Sequence, residues 1–298
     1  MMIREALSWA TQKLNKKTQS PALDAEVLLS FVLKKDKSWI FANPDNKLTT
    51  KQSNNFNNLI QKRANHWPVA YLTGHKEFFG LDFRVTKDTL IPRPETELLV
   101  EKALEILKNN KIKQVIDVGT GSGCIIISLA SSLRGYSRGN LKFYATDIST
   151  QTLKVAKQNA KNHKIKFVQA NLLPPEHVEG HSLIVANLPY LTPKQLKNPD
   201  LKHEPKSALV AGPDGLKYYR ELFKQIRSLR HPELACPQRS RLRGGRDSGS
   251  STILLEHDPS QVSKLKSLAK KHFPKAKTQF HKDLTGRFRI MELKFARF

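Results

Sequence analysis

The feature that most constrains this chain is an apolar segment that leads directly into a glycine-rich turn. Residues 115–118 (Val-Ile-Asp-Val) predict a buried strand, and Gly119 to Gly123 follow as Gly-Thr-Gly-Ser-Gly. The apolar run from Cys124 predicts a helix after the turn. Alternate glycines give a ligand room to approach the backbone, and the helix N-terminus offers unpaired N–H groups there. The pattern indicates a ligand site at a strand end, although a tight connection alone would also need glycines.

Two further strand ends carry polar residues. A predicted strand ends at Asp147, 24 residues after Gly123 (147 − 123), near the spacing of the acidic residue that binds ribose hydroxyls in nucleotide-binding βαβ units. A later apolar segment, residues 183–186, leads into the tetrapeptide Asn187 to Tyr190. Ligands of α/β folds bind at the carboxyl edge of the sheet, so both strand ends should border one cleft with the glycine turn.

The order of predicted elements indicates two domains. Residues 1–73 show helical spacing of apolar residues, and residues 74–92 predict a β-hairpin linker. In residues 93–298 strands and helices alternate, which indicates a mostly parallel sheet covered on both faces. The last two strands have too short a connection for a crossover and must be antiparallel. Strands are predicted near residues 113–118, 141–146, 165–169, 182–187, 252–257, 276–281 and 287–293.

The composition indicates which classes of binding partner suit this chain. The 298 residues include 51 Lys and Arg against 26 Asp and Glu, a formal net charge of +25. This excess favours anionic partners, either nucleic acid or an acidic protein surface, although lysines spread over almost every segment explain it equally well. Cys124 and Cys236 have neither metal-ligand spacing nor a disulfide pattern, so we expect no metal site. No apolar run approaches membrane-spanning length and no signal-peptide core follows Met1, so we expect a cytoplasmic protein, and a monomer.

One segment interrupts the alternation. Residues 230–251 contain five arginines and no lysine, and they lack apolar periodicity. Such a segment cannot bury enough apolar surface to order itself, so we interpret it as a disordered insertion ahead of the next strand. An arginine-glycine loop of this kind could touch RNA, but a passively tolerated insertion is the simpler interpretation.

The glycine loop, Asp117 to Gly123 in the form D-x-G-T-G-S-G, resembles the cofactor loop of S-adenosylmethionine-dependent methyltransferases. The tetrapeptide from Asn187 to Tyr190 is suited to one reaction of such enzymes. Methylation of a planar –NH2 nitrogen requires an enzyme that orients the nitrogen and draws electron density back onto it. The Asn187 side-chain oxygen can accept one hydrogen bond from this group, and a backbone carbonyl of the turn can accept the second. Tyr190 offers a flat stacking face, and Pro189 stiffens the turn before the substrate arrives. An ordinary turn after a strand is the alternative.

Taken together, the chain resembles the bacterial N(5)-glutamine methyltransferases that modify peptide chain release factors, nearly end to end. The most diagnostic run is Thr89 to Glu97 (TLIPRPETE). The resemblance implies an α/β, Rossmann-like class I S-adenosylmethionine-dependent methyltransferase fold. Its sheet would be doubly wound, seven-stranded and mostly parallel with an antiparallel last strand, next to a small N-terminal helical domain that recognises the substrate. Further matching segments are residues 24–29, 71–74, 77–80, 204–209, 212–216, 254–256 and 283–287.

The resemblance also implies ligands and residue roles. The cofactor would be S-adenosylmethionine, and the substrate would be the glutamine of the Gly-Gly-Gln motif in release factors, which act in translation termination. The implied cofactor-binding residues are Asp117, Gly119, Thr120, Gly121, Ser122, Gly123, Asp147, Asn171, Leu172 and Asn187. The implied catalytic residues are Asn187, Pro189 and Tyr190. The implied substrate-binding residues are Asn187, Leu188, Pro189 and Tyr190.

Three departures from the family pattern keep alternatives open. Leu188 replaces a usual proline, and Asn-Leu-Pro-Tyr also occurs in rRNA adenine dimethyltransferases. Asn171 stands where an acidic residue is common, and residues 230–251 replace a short glycine turn. The alternative function is an adenine-amino methyltransferase acting on RNA or DNA; a third is a nucleic-acid-binding module without catalysis. We expect activity to survive because the Leu188 carbonyl can serve as proline's would, and any nucleic-acid contact of the basic surface to be nonspecific.

Overall fold

The computed structural model describes residues 1–134, 141–174, 178, 181–197, 199–230 and 251–295. The predicted insertion at residues 230–251 lies almost entirely outside these residues, so its disorder stays a prediction. Within them, no helix is long and apolar enough to cross a membrane.

The N-terminal part is a bundle of helices whose apolar spacing explains its packing. Ile3, Ala6, Ala10 and Leu14 lie on one side of the first helix and are fully or almost fully buried. Pro21 begins the second helix, where its missing N–H leaves no bond unmade. The helices are α1 (Ile3–Leu14), α2 (Pro21–Leu33), α3 (Lys37–Ala42), α4 (Thr50–Ala64) and α5 (Val69–Thr73).

A hairpin connects the bundle to the larger part of the molecule. Its antiparallel strands are β1 (His75–Phe78) and β2 (Leu81–Arg84), with Phe78 opposite Leu81, as the alternation around Gly80 predicts. The rings of Phe78 and Phe83 are buried in the core shared with two helices of the larger part. The hairpin is therefore fastened to the sheet domain by its aromatic side chains.

The larger part is a seven-stranded sheet in the order β5-β4-β3-β6-β7-β9-β8. All neighbouring strands are parallel except that β9 runs antiparallel to both β7 and β8, which confirms the predicted topology. The strands are β3 (Gln114–Val118), β4 (Lys142–Asp147), β5 (Ile165–Gln169), β6 (Ser182–Ala186), β7 (Ser251–Glu256), β8 (Lys277–Lys282) and β9 (Phe288–Phe295). The helices are α6 (Glu97–Asn109), α7 (Cys124–Ser132), α8 (Thr150–Asn159), α9 (Lys217–Arg230) and α10 (Val262–His272).

Alternating side chains of the central strands supply two apolar cores. Ile116 and Val118 of β3 pack on the side of α9 and α10, whereas Val115 packs with α6 and α7. Because both faces are covered, these strands read as continuous apolar runs. The carboxyl ends of β3, β4, β6 and β7 meet at one edge, and the polar strand ends lie there.

Candidate active site

The three glycines of the turn after β3 have different structural roles. All have positive φ: +72° at Gly119, +57° at Gly121 and +84° at Gly123. A methyl group at Gly121 would meet nothing within 4 Å, whereas one at Gly119 would lie 3.2 Å from Leu188 Cδ2. At Gly123 it would lie 2.8 Å from Ile127 Cδ1. Gly123 is therefore packed against α7, where the Ile127 side chain would have to shift to admit a methyl group. Gly121 is the glycine that faces open space, as ligand approach demands.

Asp147 ends β4 beside this turn. Its Oδ2 accepts a hydrogen bond from the Gly121 N–H at 3.2 Å, and its Oδ1 accepts from the Ser149 N–H at 2.9 Å. Burial raises the pKa of Asp147, while these backbone bonds lower it. Both oxygens keep a further lone pair, so the carboxylate can still accept bonds from two ligand hydroxyls.

Asp117 lies beneath the turn. It is fully buried, and its Oδ2 accepts a hydrogen bond from Thr120 Oγ1 at 2.7 Å. Burial raises the pKa of Asp117 to about 7, against the opposite effect of the Thr120 bond. Thr120 and Ser122 are also buried, at 3% and 2% exposure. These buried side chains support the glycine turn from the interior of the protein.

A second turn, after β5, is held by side chains from other elements. Leu172 has a φ of +69°, and its carbonyl accepts a bond from Thr146 Oγ1 at 2.8 Å. Gln225 of α9 donates through Nε2 to the Asn171 carbonyl at 2.9 Å and accepts from the Leu173 N–H at 3.0 Å. The turn from Asn171 to Leu173 is thus fixed in place before any ligand binds.

The turn after β6 is fixed at both ends. Asn187 donates through Nδ2 to Thr96 Oγ1 at 3.0 Å. The Tyr190 carbonyl accepts from Gln261 Nε2 at 2.9 Å. Gly215 approaches the same carbonyl so closely that an added methyl group would lie 2.2 Å from the oxygen. Only glycine fits there, and the turn cannot move independently of residues 214–216.

A buried carboxyl group lies behind the tetrapeptide. Glu256, the last residue of β7, is 1% exposed, and the Tyr190 hydroxyl donates to its Oε1 at 3.4 Å. The Tyr219 hydroxyl donates to the Glu256 carbonyl at 2.6 Å. Burial raises the pKa of the Glu256 side chain to about 7, while nearby Thr96, Arg289 and Tyr190 lower it. Burial also raises the pKa of Tyr190, so its hydroxyl stays protonated.

The diagnostic run from Thr89 to Glu97 is tied to distant parts of the chain. The Thr89 carbonyl accepts from the Tyr71 hydroxyl of α5 at 2.6 Å. Arg93 forms an ion pair with Glu204, whose other oxygen accepts from the Ile91 N–H at 3.2 Å. The Glu204 side chain is 1% exposed, so the protein around it holds the carboxylate of this ion pair in place. The run thereby joins the helical bundle to one wall of the site.

These turns enclose one cavity of about 360 Å³, within the usual range of small-molecule sites. Five predicted site residues do not line the cavity and lie behind its wall: Asp117, Thr120, Ser122, Gly123 and Tyr190. No group of three or more potential metal ligands occurs in the described ranges. The predicted site residues that line the cavity are Gly119, Gly121, Asp147, Asn171, Leu172, Asn187, Leu188 and Pro189.

Four residues of the site were not identified as such from the sequence. Thr96 and Glu256 lie in segments that match the family pattern, but no role was predicted for either residue. Gln225 and Gln261 carry no signal at all, because a glutamine on a helix or at its start is ordinary. Each acts by a hydrogen bond to a residue more than 50 positions away.

Comparisons with known proteins agree with this geometry. Residues 5–74 match the family model described as PrmC N-terminal domain, and residues 109–228 match that of a methyltransferase domain. The release factor glutamine methyltransferase of Coxiella burnetii is 35% identical over 98% of this chain and 98% of its own length. That of Buchnera aphidicola is 42% identical over 75% of this chain and 80% of its own length.

A solved structure gives a weaker match. The release factor-specific protein-(glutamine-N5) methyltransferase of Alicyclobacillus acidocaldarius covers 71% of this chain and 98% of its own, at 26% identity. The TM-score is 0.37, which is too low for this match to support an assignment.

Proposed function

The chain belongs to the release factor glutamine methyltransferases, and on this premise we propose that it methylates the side-chain amide nitrogen of the glutamine in the Gly-Gly-Gln motif of release factors. The methyl donor is S-adenosylmethionine. The observation that carries the proposal is that Asp147 and Asn187 line the same cavity at the same sheet edge. A group able to bind ribose hydroxyls and a group able to accept from an amide therefore face one space.

The residues present fit S-adenosylmethionine. Asp147 can accept bonds from two ribose hydroxyls while two backbone N–H groups hold it. Gly121 leaves space for the ligand chain, and the exposed Ile148 beside Asp147 offers an apolar surface for the adenine. The fixed turn at Asn171 and Leu172 borders the same space. The bound cofactor supplies a methyl group activated by the positive charge on its sulfur.

The acceptor side is built to orient a planar –NH2 group. Since Asn187 Nδ2 is engaged by Thr96, the Oδ1 atom remains to accept from the substrate. A backbone carbonyl of the Leu188–Pro189 turn can accept the second amide hydrogen. Gln261 and Gly215 hold the turn from behind, so these acceptors are placed before the substrate arrives.

The direct test locates the methyl group. The protein is incubated with labelled S-adenosylmethionine and either a release factor or ribosomal RNA, and the products are analysed by mass spectrometry. We expect the label on the glutamine of Gly-Gly-Gln. Label on adenine amino groups, and none on that glutamine, would instead establish the nucleic-acid enzyme.

The proposal extends to location and assembly. We place the protein in the cytoplasm, where release factors act, and expect it to work as a monomer. The basic surface supports weak, nonspecific contact with nucleic acid, since α10 has four lysines and no acidic residue, whereas α6 on the opposite face has three glutamates. Such binding should decline steeply with salt concentration. Sedimentation tests whether the protein is a monomer, and a salt titration with random-sequence RNA tests the nucleic-acid contact.

A further inference from the structure

We propose that Trp67 and His203 are positioning residues that fasten one wall of the cavity to the helical bundle. This wall is formed by residues 199–211, which are called the wall segment. Three of its residues line the cavity: Pro205, Ser207 and Ala208. Trp67 and His203 do not line it, so they act through the wall segment. The inference rests on the proposed function, because it concerns how the cavity is held ready for release factor.

The wall segment meets the bundle at one corner, where α4 ends. The rings of Trp67 and His203 are stacked, with centroids 4.4 Å apart and planes inclined by 23°. His203 Nε2 lies 3.0 Å from the Asn65 carbonyl, and because a carbonyl only accepts, Nε2 is the donor. Next to this contact, His66 Nδ1 lies 3.6 Å from Asp200 Oδ1. The wall segment is thus in contact with three consecutive residues of the bundle.

The corner of the bundle is itself held in place. The Trp67 carbonyl accepts from Arg63 Nη1 at 3.3 Å, and the Trp67 N–H donates to the Lys62 carbonyl at 3.2 Å. Arg63 also donates through Nε to Asp24 of α2 at 2.8 Å, and both side chains of this ion pair are at most 12% exposed. The backbone that carries the Trp67 ring is therefore fixed to both α2 and α4.

The residue after His203 attaches the wall segment to a different part of the chain. Glu204 forms an ion pair with Arg93 and accepts from the Ile91 N–H at 3.2 Å. Consecutive residues of the wall segment therefore point to different partners, His203 to the bundle and Glu204 to the run that begins at Thr89. Pro205, which lines the cavity, follows them directly.

The far end of the wall segment lies beside the turn after β6. The Leu191 N–H donates to the Leu209 carbonyl, and the Ala211 N–H donates to the Leu191 carbonyl, both at 2.9 Å. Leu191 directly follows Tyr190, the last residue of the tetrapeptide. The wall segment therefore borders the acceptor side of the cavity, and its attachment to the bundle bears on the substrate more than on the cofactor.

The stacked pair is an attachment and not a part of an apolar core. Both rings belong to half-buried residues, and Trp67 is absent from all three cores that the described residues form. Loss of the Trp67 ring should therefore leave the bundle and the sheet folded. It removes an aromatic contact between them. The wall segment then becomes more mobile and has to be ordered as the substrate binds, which weakens binding.

The first test measures hydrogen exchange and needs no substrate. Hydrogen-bonded amides of the wall segment serve as probes: those of Lys202, Glu204, Ala208, Leu209, Val210 and Ala211. Trp67→Ala should speed their exchange about tenfold or more and leave α1, α2 and the sheet unchanged, because only the attachment is lost. Trp67→Phe, which keeps an aromatic ring, should retain most of the protection. His75→Ala, which removes a surface histidine bonded to Asp82 within the hairpin, is the control and should leave the wall segment unchanged.

The second test separates KM from kcat with release factor as the substrate. Trp67→Ala and His203→Ala should each raise KM about 5- to 20-fold and lower kcat less than about threefold, because the cost of ordering the wall falls on substrate binding. His203→Phe, which keeps a stacked ring and loses the bond to Asn65, should give an intermediate KM. Calorimetry should show S-adenosylmethionine affinity within about twofold of the wild type in all three variants.

The two tests together distinguish the possible outcomes. Unchanged exchange of the wall segment in Trp67→Ala would overturn the inference even if KM rose, because Trp67 would then contact release factor directly. Cofactor affinity that fell in step with the rise in KM would also overturn it. Should Trp67→Ala fail to fold, His203→Ala removes the same stack from the other side and decides the question. Wild-type protein that modifies no release factor would overturn the proposed function alone, since hydrogen exchange still shows whether Trp67 fastens the wall.

Discussion

The two halves of the cavity are built in different ways. The half that we propose for the cofactor, from Gly119 to Leu172, is called the cofactor half; it uses backbone groups and one carboxylate from neighbouring strands. The acceptor half joins Thr96, the Asn187–Tyr190 turn and Glu256, which lie far apart in the sequence and meet only in the folded protein. Cofactor binding and substrate orientation should therefore be separable by mutation.

The largest expected effect is on the acceptor side. Asn187→Ala removes the oxygen that we propose accepts from the substrate amide. It should lower kcat by about two to three orders of magnitude, comparable to the loss of one preorganised donor at an oxyanion site. Cofactor affinity should change much less. Single-turnover rates and calorimetry with S-adenosylmethionine measure the two effects. Loss of affinity in step with kcat would show that the halves are not separable at this residue.

The corresponding change on the cofactor side is Asp147→Ala. It removes an acceptor of charge-assisted bonds and should weaken S-adenosylmethionine binding by about 1.5–3 kcal/mol, or roughly 10- to 150-fold. Because burial raises the pKa of Asp147, wild-type affinity should fall as the pH is lowered and the carboxylate is protonated. The variant should lack this dependence. Unchanged affinity in calorimetry would remove Asp147 from the site.

Effects of intermediate size are expected on folding stability when either of two glycines is replaced. Alanine at Gly215 would collide with the Tyr190 carbonyl and should destabilise the fold by about 2–5 kcal/mol, from added strain and overpacking. Alanine at Gly121 meets no atom within 4 Å and should cost only the strain of a positive φ, about 1–2 kcal/mol. Thermal unfolding measures both. Equal losses would mean that the turn after β6 can shift to admit a side chain.

The smallest effect is expected at Leu188. Its carbonyl is a backbone group that proline also has, so Leu188→Pro should change turnover by less than about threefold, a margin near 0.6 kcal/mol. The Leu188 side chain is buried beside Gly119, and its loss should instead appear as a modest fall in thermal stability. A large gain in kcat would show that proline contributes to substrate orientation itself.

The sequence predicts the fold well, and it predicts which strand ends border the cavity, for physical reasons. Buried parallel strands read as apolar runs, and the glycine turn and Asp147 are local features whose spacing follows from a βαβ unit. The separate roles of the glycines were not predictable, because Gly123 is constrained by Ile127 and Ala156 in the folded protein. Whether a glycine faces a ligand or a neighbouring helix depends on tertiary packing.

The acceptor half could be predicted only in part. Asn187 and Pro189 follow a strand and line the cavity, as expected of a sheet edge. Their supports, Thr96 and Glu256, depend on which strands become neighbours, and the order β3-β6-β7 is what places Glu256 behind Tyr190. Which buried side chain donates a hydrogen bond and which accepts it cannot be predicted from the sequence, because the same residue types occur in many positions without such a role.

The long separations within the acceptor half bear on how the protein is made. Thr96 and Asn187 are 91 residues apart, and Tyr190 and Glu256 are 66 apart, so this half closes only when most of the chain has left the ribosome. The cofactor half also depends on residues beyond α9, because Leu172 packs in one core with Ile253, Leu255 and Met291. We therefore expect chains arrested between α9 and β7 neither to retain labelled S-adenosylmethionine nor to modify release factor. Completion of synthesis would then itself switch on catalysis, and unfinished chains would stay inert.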